Sequence, residues 1–136
     1  MSFSDEEADY IRSQRLARVA TAAADGQPDV VPTGYEFDGT HFYIGGLDPA
    51  STRRHRNLKA GNDKVALVID DLASTDPWSP RYLRVYGTAE IVEHETQFGR
   101  QPVMKITPAI SWSFNLGGDA LSGGRPVPRR TVHERS

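Results

Sequence analysis

The sequence predicts a mainly β protein, a six-stranded antiparallel barrel with two short helices. Three observations carry that expectation. Short segments alternate apolar and polar residues with period two, and Asp-Gly dipeptides separate the early ones. The run Lys64–Asp70 is continuously apolar over the length of one buried strand. So many short strands with little chain between them suit a small barrel better than an open sheet.

The elements follow in order. Ser4-Asp5-Glu6-Glu7 has capping-box form and opens a short helix over about residues 5 to 14, with Ala8 and Ile11 on one face. Leu16 to Ala22 alternates as a half-buried strand, and Asp25-Gly26 turns the chain into a second strand, Val30 to Phe37. Asp38-Gly39 is a further turn before His41-Phe42-Tyr43-Ile44, which stops at Gly45-Gly46. Ser51 or Thr52 caps a short basic helix ended by Gly61-Asn62. The buried strand Lys64 to Asp70 follows, then a loop from Asp71 to Pro80 holding Trp78. Tyr82 to Val92 is a long strand, Gln97 to Gln101 a polar connection, and Val103 to Phe114 a last strand with an edge or bulge at Pro108.

A length of 136 residues is one domain's worth and enough for one core. Residues 1–116 form that domain, and the Gly-, Pro- and Arg-rich residues 117–136 read as a flexible tail. With 38% apolar and 25% charged residues the chain is neither disordered nor fibrous. Nothing approaches a membrane span, and the acidic opening is no signal peptide, so a cytoplasmic protein is expected. The absence of Cys removes thiolate metal sites and thiol nucleophiles, and the four His form no close ligand pair. No metal site is expected.

The net charge of −2 hides an asymmetry, −4 over residues 1–116 against +2 in the last twenty. Within the acidic part, Thr52 to Lys64 gathers Arg53, Arg54, Arg56, Lys59 and Lys64 against Asp63 alone. A helix N-terminus flanked by Ser51, Thr52 and two guanidinium forks has the chemistry of a phosphate site. A solvated basic helix face explains the same residues equally well. General nucleic-acid binding is not expected, because the cluster lacks interleaved aromatics and the surface is not basic overall.

Asp29-Val30-Val31-Pro32-Thr33-Gly34, Phe42-Tyr43-Ile44-Gly45, Arg53-Arg54-x-Arg56-Asn57-Leu58-Lys59 and Lys64-Val65-Ala66-Leu67 occur in this order and spacing. Together they resemble the pyridoxamine-5′-phosphate-oxidase-like split β-barrel family, with its FMN-binding-like fold. Arg15 to Thr21, the Asp70–Trp78 segment and Ile106-Thr107-Pro108 are similar to its branch of coenzyme F-420-dependent enzymes. The resemblance implies a homodimer with cofactor sites at its interface. It implies cofactor binding by Val30, Val31, Pro32, Thr33 and Gly34 along the ring, by Ile44 and Gly45, and by Thr52, Arg53, Arg54 and Asn57 near the phosphate. Pyridoxamine-phosphate oxidases have basic residues where this chain has Asp29 and Gly34, which counts against the vitamin B6 reaction itself.

A cofactor that supplies the hydride explains why the chain shows no triad, carboxylate pair or metal cluster. No catalytic side chain is assigned. His41, His55 and His94 are candidate proton donors whose polar flanks favour plain surface positions. Trp78 reads equally as a pocket wall or a dimer anchor. The leading expectation is an oxidoreductase that uses reduced coenzyme F-420 on a small conjugated substrate. The alternatives are an FMN-dependent flavoprotein and a non-catalytic carrier or sensor of flavin, deazaflavin or haem.

Overall fold

The computed structural model describes residues 2–121 and 127–134. Helix α1 (Asp5–Ser13) begins with the complete capping box: the Glu7 N–H donates to Ser4 Oγ (3.1 Å) and the Ser4 N–H to the Glu7 carboxylate (2.9 Å). The strands are β1 (Ala17–Ala22), β2 (Pro28–Thr33), β3 (Glu36–Phe37), β4 (Phe42–Ile44), β5 (Lys64–Thr75), β6 (Trp78–Thr96), β7 (Gly99–Phe114) and β8 (Arg129–Val132). Between β4 and β5 lie a 3-10 turn, Pro49–Ser51, and helix α2 (Arg53–Lys59).

All strand pairs are antiparallel, and the sheet runs β2-β1-β5-β6-β7-β4-β3, with β8 also on β7. Its ends, β2 and β3, do not pair with each other, so the barrel is split between them. The expected class holds, with eight strands in place of six. One extra strand arises because the expected segment 30–37 breaks at Gly34. Residues before it pair with β1, whereas Glu36 and Phe37 pair with β4 at the opposite end of the sheet. The crossing is pinned by Tyr35, whose hydroxyl donates to the carbonyls of Ile11 (2.6 Å) and Gln14 (3.2 Å) at the end of α1.

The other extra strand corrects the expectation of a flexible tail at 117–136. Arg129–Val132 pairs with residues 110–113 of β7. Arg129 Nη1 donates to Glu7 Oε1 at 2.7 Å, and Glu7 is buried, so β8 ties the end of the chain to α1. His133 follows, bonded to Ser111 Oγ (2.8 Å) and packed on the Phe3 ring (4.4 Å). The stretch Gly117–Leu121 is held as well. The Asn115 amide reaches the carbonyls of Pro80 and Asp119, and Ser79 Oγ donates to Asp119. Residues 122–126, 135 and 136 of that segment lie outside the described residues.

Most of the expected loop 71–80 is strand. β5 and β6 continue as one hairpin with its turn at Asp76-Pro77, steadied where Arg81 forks onto Asp71 (2.7 and 2.9 Å). β5 is central, but only one face is fully buried: Val65, Leu67 and Ile69 enter the core while Ala66 and Val68 are half-buried. The bulge expected at Pro108 is present, as Tyr86 pairs with Ile110 and Gly87 with Pro108. Phe42, Ile44, Leu67, Leu83, Val85 and Ile106 fill the barrel, with Tyr10 and Ile11 plugging it from α1. Among the described residues no helix is long and apolar enough to cross a membrane.

Candidate functional site

An open cleft of about 500 Å³ lies where the two ends of the sheet approach each other. Thr33, Gly34, Tyr35 and Glu36 form one wall, Gly45 and Gly46 another, and His94 to Phe98 at the β6–β7 turn a third. The first two walls follow from the local sequence. Gly34 lets the chain leave one sheet edge for the other. Gly46 sits at φ +140°, a conformation open chiefly to glycine, and lets the backbone turn from β4 toward α2. A Cβ on Gly45 would stand 3.0 Å from Gln101 Oε1, so only glycine keeps that wall thin. Gln101 Oε1 is itself buried and lacks a hydrogen-bond partner.

Arg54 stands behind this wall. Its Nη2 donates to the Gly45 carbonyl at 2.9 Å. The other guanidinium N–H groups have no acceptor among the described residues, although the residue is half-buried. Burial holds Arg54 below the ordinary guanidinium range, with the Asp29 carboxylate acting in the opposite sense. A desolvated cation with unmatched donors is a strong anion receptor, because any acceptor it gains repays part of its desolvation. Arg53, beside it, is exposed.

The expected site residues divide into three groups. Thr33, Gly34 and Gly45 line the cleft and Arg54 flanks it. Val30, Val31 and Pro32 lie along β2, which forms the end of the sheet. Val30 is 64% and Val31 39% exposed although the two point to opposite faces, so neither face of this strand is fully covered by the described chain. Ile44, Thr52 and Asn57 are turned inward. Ile44 is core. The Thr52 hydroxyl donates to the Pro49 carbonyl (2.7 Å) and accepts from the His55 N–H (3.3 Å), which occupies it as a helix cap. Asn57 is buried and its amide donates to Thr21 Oγ1 (2.8 Å), locking α2 onto β1. With seven residues α2 has little dipole to offer, so the two guanidinium groups carry the cluster's affinity for anions.

Sequence reasoning undervalued the third wall. The His94 ring lies flat on Tyr43 (centroids 4.4 Å apart, planes 10° apart), and its Nε2 is 2.9 Å from Glu36 Oε2. Glu36, Tyr43 and His94 come from β3, β4 and β6, and no local motif joins them. Phe98, 49% exposed, and Arg15 complete the rim. The other three His are elsewhere: His41 is bonded to Asp38, His55 lies on α2, and His133 is under Phe3. Trp78 lines no part of the cleft.

The family model for pyridoxamine 5′-phosphate oxidase matches residues 3–134. A 5a,11a-dehydrotetracycline/5a,11a-dehydrooxytetracycline reductase of Streptomyces rimosus is 41% identical over 130 residues, covering 90% of each chain. A solved protein of Lactobacillus delbrueckii, named for pyridoxamine 5′-phosphate oxidase, is 27% identical with a TM-score of 0.64, covering 81% of this chain and 93% of its own. A solved F420 reductase shares the fold at 21% identity and a TM-score of 0.56, covering 71% and 88%.

Proposed function

Because this chain belongs to the pyridoxamine 5′-phosphate oxidase family and is an oxidoreductase, we propose that it reduces the conjugated double bond of a planar, polycyclic enone with a hydride from reduced coenzyme F-420. The observation that carries this reading is the half-buried Arg54 guanidinium, with unmatched donors, behind the glycine wall of an open 500 Å³ cleft. The 41% identical reductase of dehydrotetracyclines supports the substrate class. Asp29 and Gly34, where the resemblance gives pyridoxamine-phosphate oxidases basic residues, weigh against an FMN-type phosphate site.

The residues present fit such a group. Arg53 and Arg54 would hold its phosphate, the edge strand Val30–Thr33 would offer backbone donors and acceptors to a flat ring, and Gly45 with Gly46 would leave room beside it. When bound, the reduced deazaflavin supplies the hydride, and the protein's part is binding, orientation and exclusion of water. Tyr43, His94 and Phe98 offer aromatic surface to a planar substrate.

We further propose that the working unit is a homodimer. β2 exposes Val30 on one face and Val31 on the other. The outer face of β6, β7 and β8 also carries an aromatic ladder: Tyr82 stacked on Phe114, Arg84 over the Trp112 ring (4.1 Å), and half-exposed Tyr86 and Val132. A second copy laid on these surfaces would complete a site that one chain leaves open.

The test is paired titration of the purified protein with coenzyme F-420 and with FMN, followed by 5a,11a-dehydrotetracycline as hydride acceptor. The reading expects tight binding of the deazaflavin and its oxidation only when the enone is present. Preference for FMN moves the reading to a flavoprotein reductase. Binding without oxidation across enones and quinones points to a carrier.

A further inference from the structure

The third wall of the cleft holds a group suited to the other half of the reaction. Delivering a hydride to an α,β-unsaturated ketone leaves an enolate, which a positioned acid must protonate. The proton-bearing side chains lining the cleft are few. Arg15 does not give up its proton at working pH. Tyr35 donates its hydroxyl hydrogen to the Ile11 carbonyl (2.6 Å), and Tyr43 donates its own to Asp38 Oδ2 (3.0 Å); burial and that carboxylate push the Tyr43 phenol above its usual range. Thr33 and Thr96 are alcohols, far too weak as acids. Among the described histidines that leaves one on the cleft lining, His94.

His94 is also held. The Tyr43 ring fixes the plane of the imidazole, and Glu36 Oε2 lies 2.9 Å from Nε2, so Nε2 carries a proton toward the carboxylate. Nδ1 has no partner among the described residues. An imidazolium so placed has one N–H engaged and the other free.

We propose that His94 is the proton donor of the reductase reaction, giving its Nδ1 proton to the substrate while Glu36 and Tyr43 hold the ring; this rests on the reading of the cleft as an F-420-dependent enone reductase. The balance is simple. The hydride forms a C–H bond at the β-carbon, and the former C=C pair passes through the enolate. That pair takes the Nδ1 proton at the α-carbon, breaking one N–H bond. The substrate gains two electrons and two hydrogens, the deazaflavin loses two electrons as hydride, and the neutral imidazole recovers a proton from water. The ionisable groups around His94 are Glu36 from β3, Tyr43 from β4, Arg15 from the α1–β1 connection and Lys105, which pairs with Tyr43 from β7. Gln101, directly across the ladder, is neutral.

The test compares wild type, His94→Gln and Glu36→Gln, with reduced coenzyme F-420 and 5a,11a-dehydrotetracycline as probes. In His94→Gln, kcat falls about 100-fold or more, the scale of general acid catalysis, while the Kd for the deazaflavin stays within about twofold. Glu36→Gln lowers kcat by about fivefold. In the ligand-free protein, imidazole ¹⁵N spectra show neutral His94 with its proton on Nε2, and Glu36→Gln abolishes that preference. If wild type turns over and His94→Gln keeps its rate, the assignment is wrong and the reductase reading stands. If wild type neither binds the deazaflavin nor reduces the enone, both fall together.

Discussion

At the scale of single residues, the account turns on Arg54. Its position was legible because a basic pair after a cap beside Gly-Gly is a local pattern. Thr52 and Asn57 share that motif but face inward, and the reason was not legible. Thr21, the partner that buries the Asn57 amide, lies 36 residues away in sequence. His94 failed the same way, since its neighbours Glu36 and Tyr43 are far off in sequence and polar flanks look alike at any surface. Arg54→Ala should weaken deazaflavin binding by about 1.5–3 kcal/mol, the scale of hydrogen bonds to charged groups. Arg54→Lys keeps the charge but loses the fork, so it should lie between the two. Fluorescence titration reads both, and an unchanged Kd in Arg54→Ala would show that the anion binds elsewhere.

At the scale of elements, the meander up to β5, the cap of α1 and the bulge at Pro108 were readable because turn residues, capping boxes and proline act locally. β8 was not. Its four residues are polar, and their reason for pairing is the remote Glu7. Burial alone would raise the Glu7 carboxyl, but hydrogen bonds from Ser113 and the Ser4 backbone, with the charge of Arg129, bring it below its ordinary value. A depressed carboxyl stabilises the fold fully above about pH 4.3, and that contribution is lost as pH falls through the lower native value. Arg129→Ala should therefore cost about 1–3 kcal/mol at pH 7, less than a fully buried pair because Arg129 is half exposed, and the difference should shrink in strong acid. Burial also holds His133 below its ordinary value, with the Glu7 charge partly opposing. Its contribution is complete above about pH 6.5 and fades as pH falls toward the native value. Thermal melts at pH 7.5 and 5.5 should show that slope in wild type and a flatter one in His133→Phe. At the β6–β7 bulge, Gly87→Ala drives a methyl into the Thr107 carbonyl. It should destabilise by about 1–3 kcal/mol, read as a lower midpoint in urea.

At the scale of the whole molecule, the chain exposes more apolar surface than its core would need to. Val30, Val31, Tyr86 and Val132 are all more than a third exposed, and the Trp112 ladder lies on an outer face. Sedimentation should give a dimer of the 15.0 kDa chain, and Tyr86→Glu together with Val132→Glu should yield monomers that lose deazaflavin affinity. The split between β2 and β3 places an edge strand, a glycine wall, Arg54 and the His94 wall around one cleft. The central claim is that this cleft is a deazaflavin-dependent reductase site. One purified sample titrated in parallel with coenzyme F-420 and FMN tests it most directly. Micromolar or tighter binding of coenzyme F-420, weakened by the amount given above in Arg54→Ala, and weaker binding of FMN are expected. Tight FMN binding with no affinity for coenzyme F-420 would contradict it.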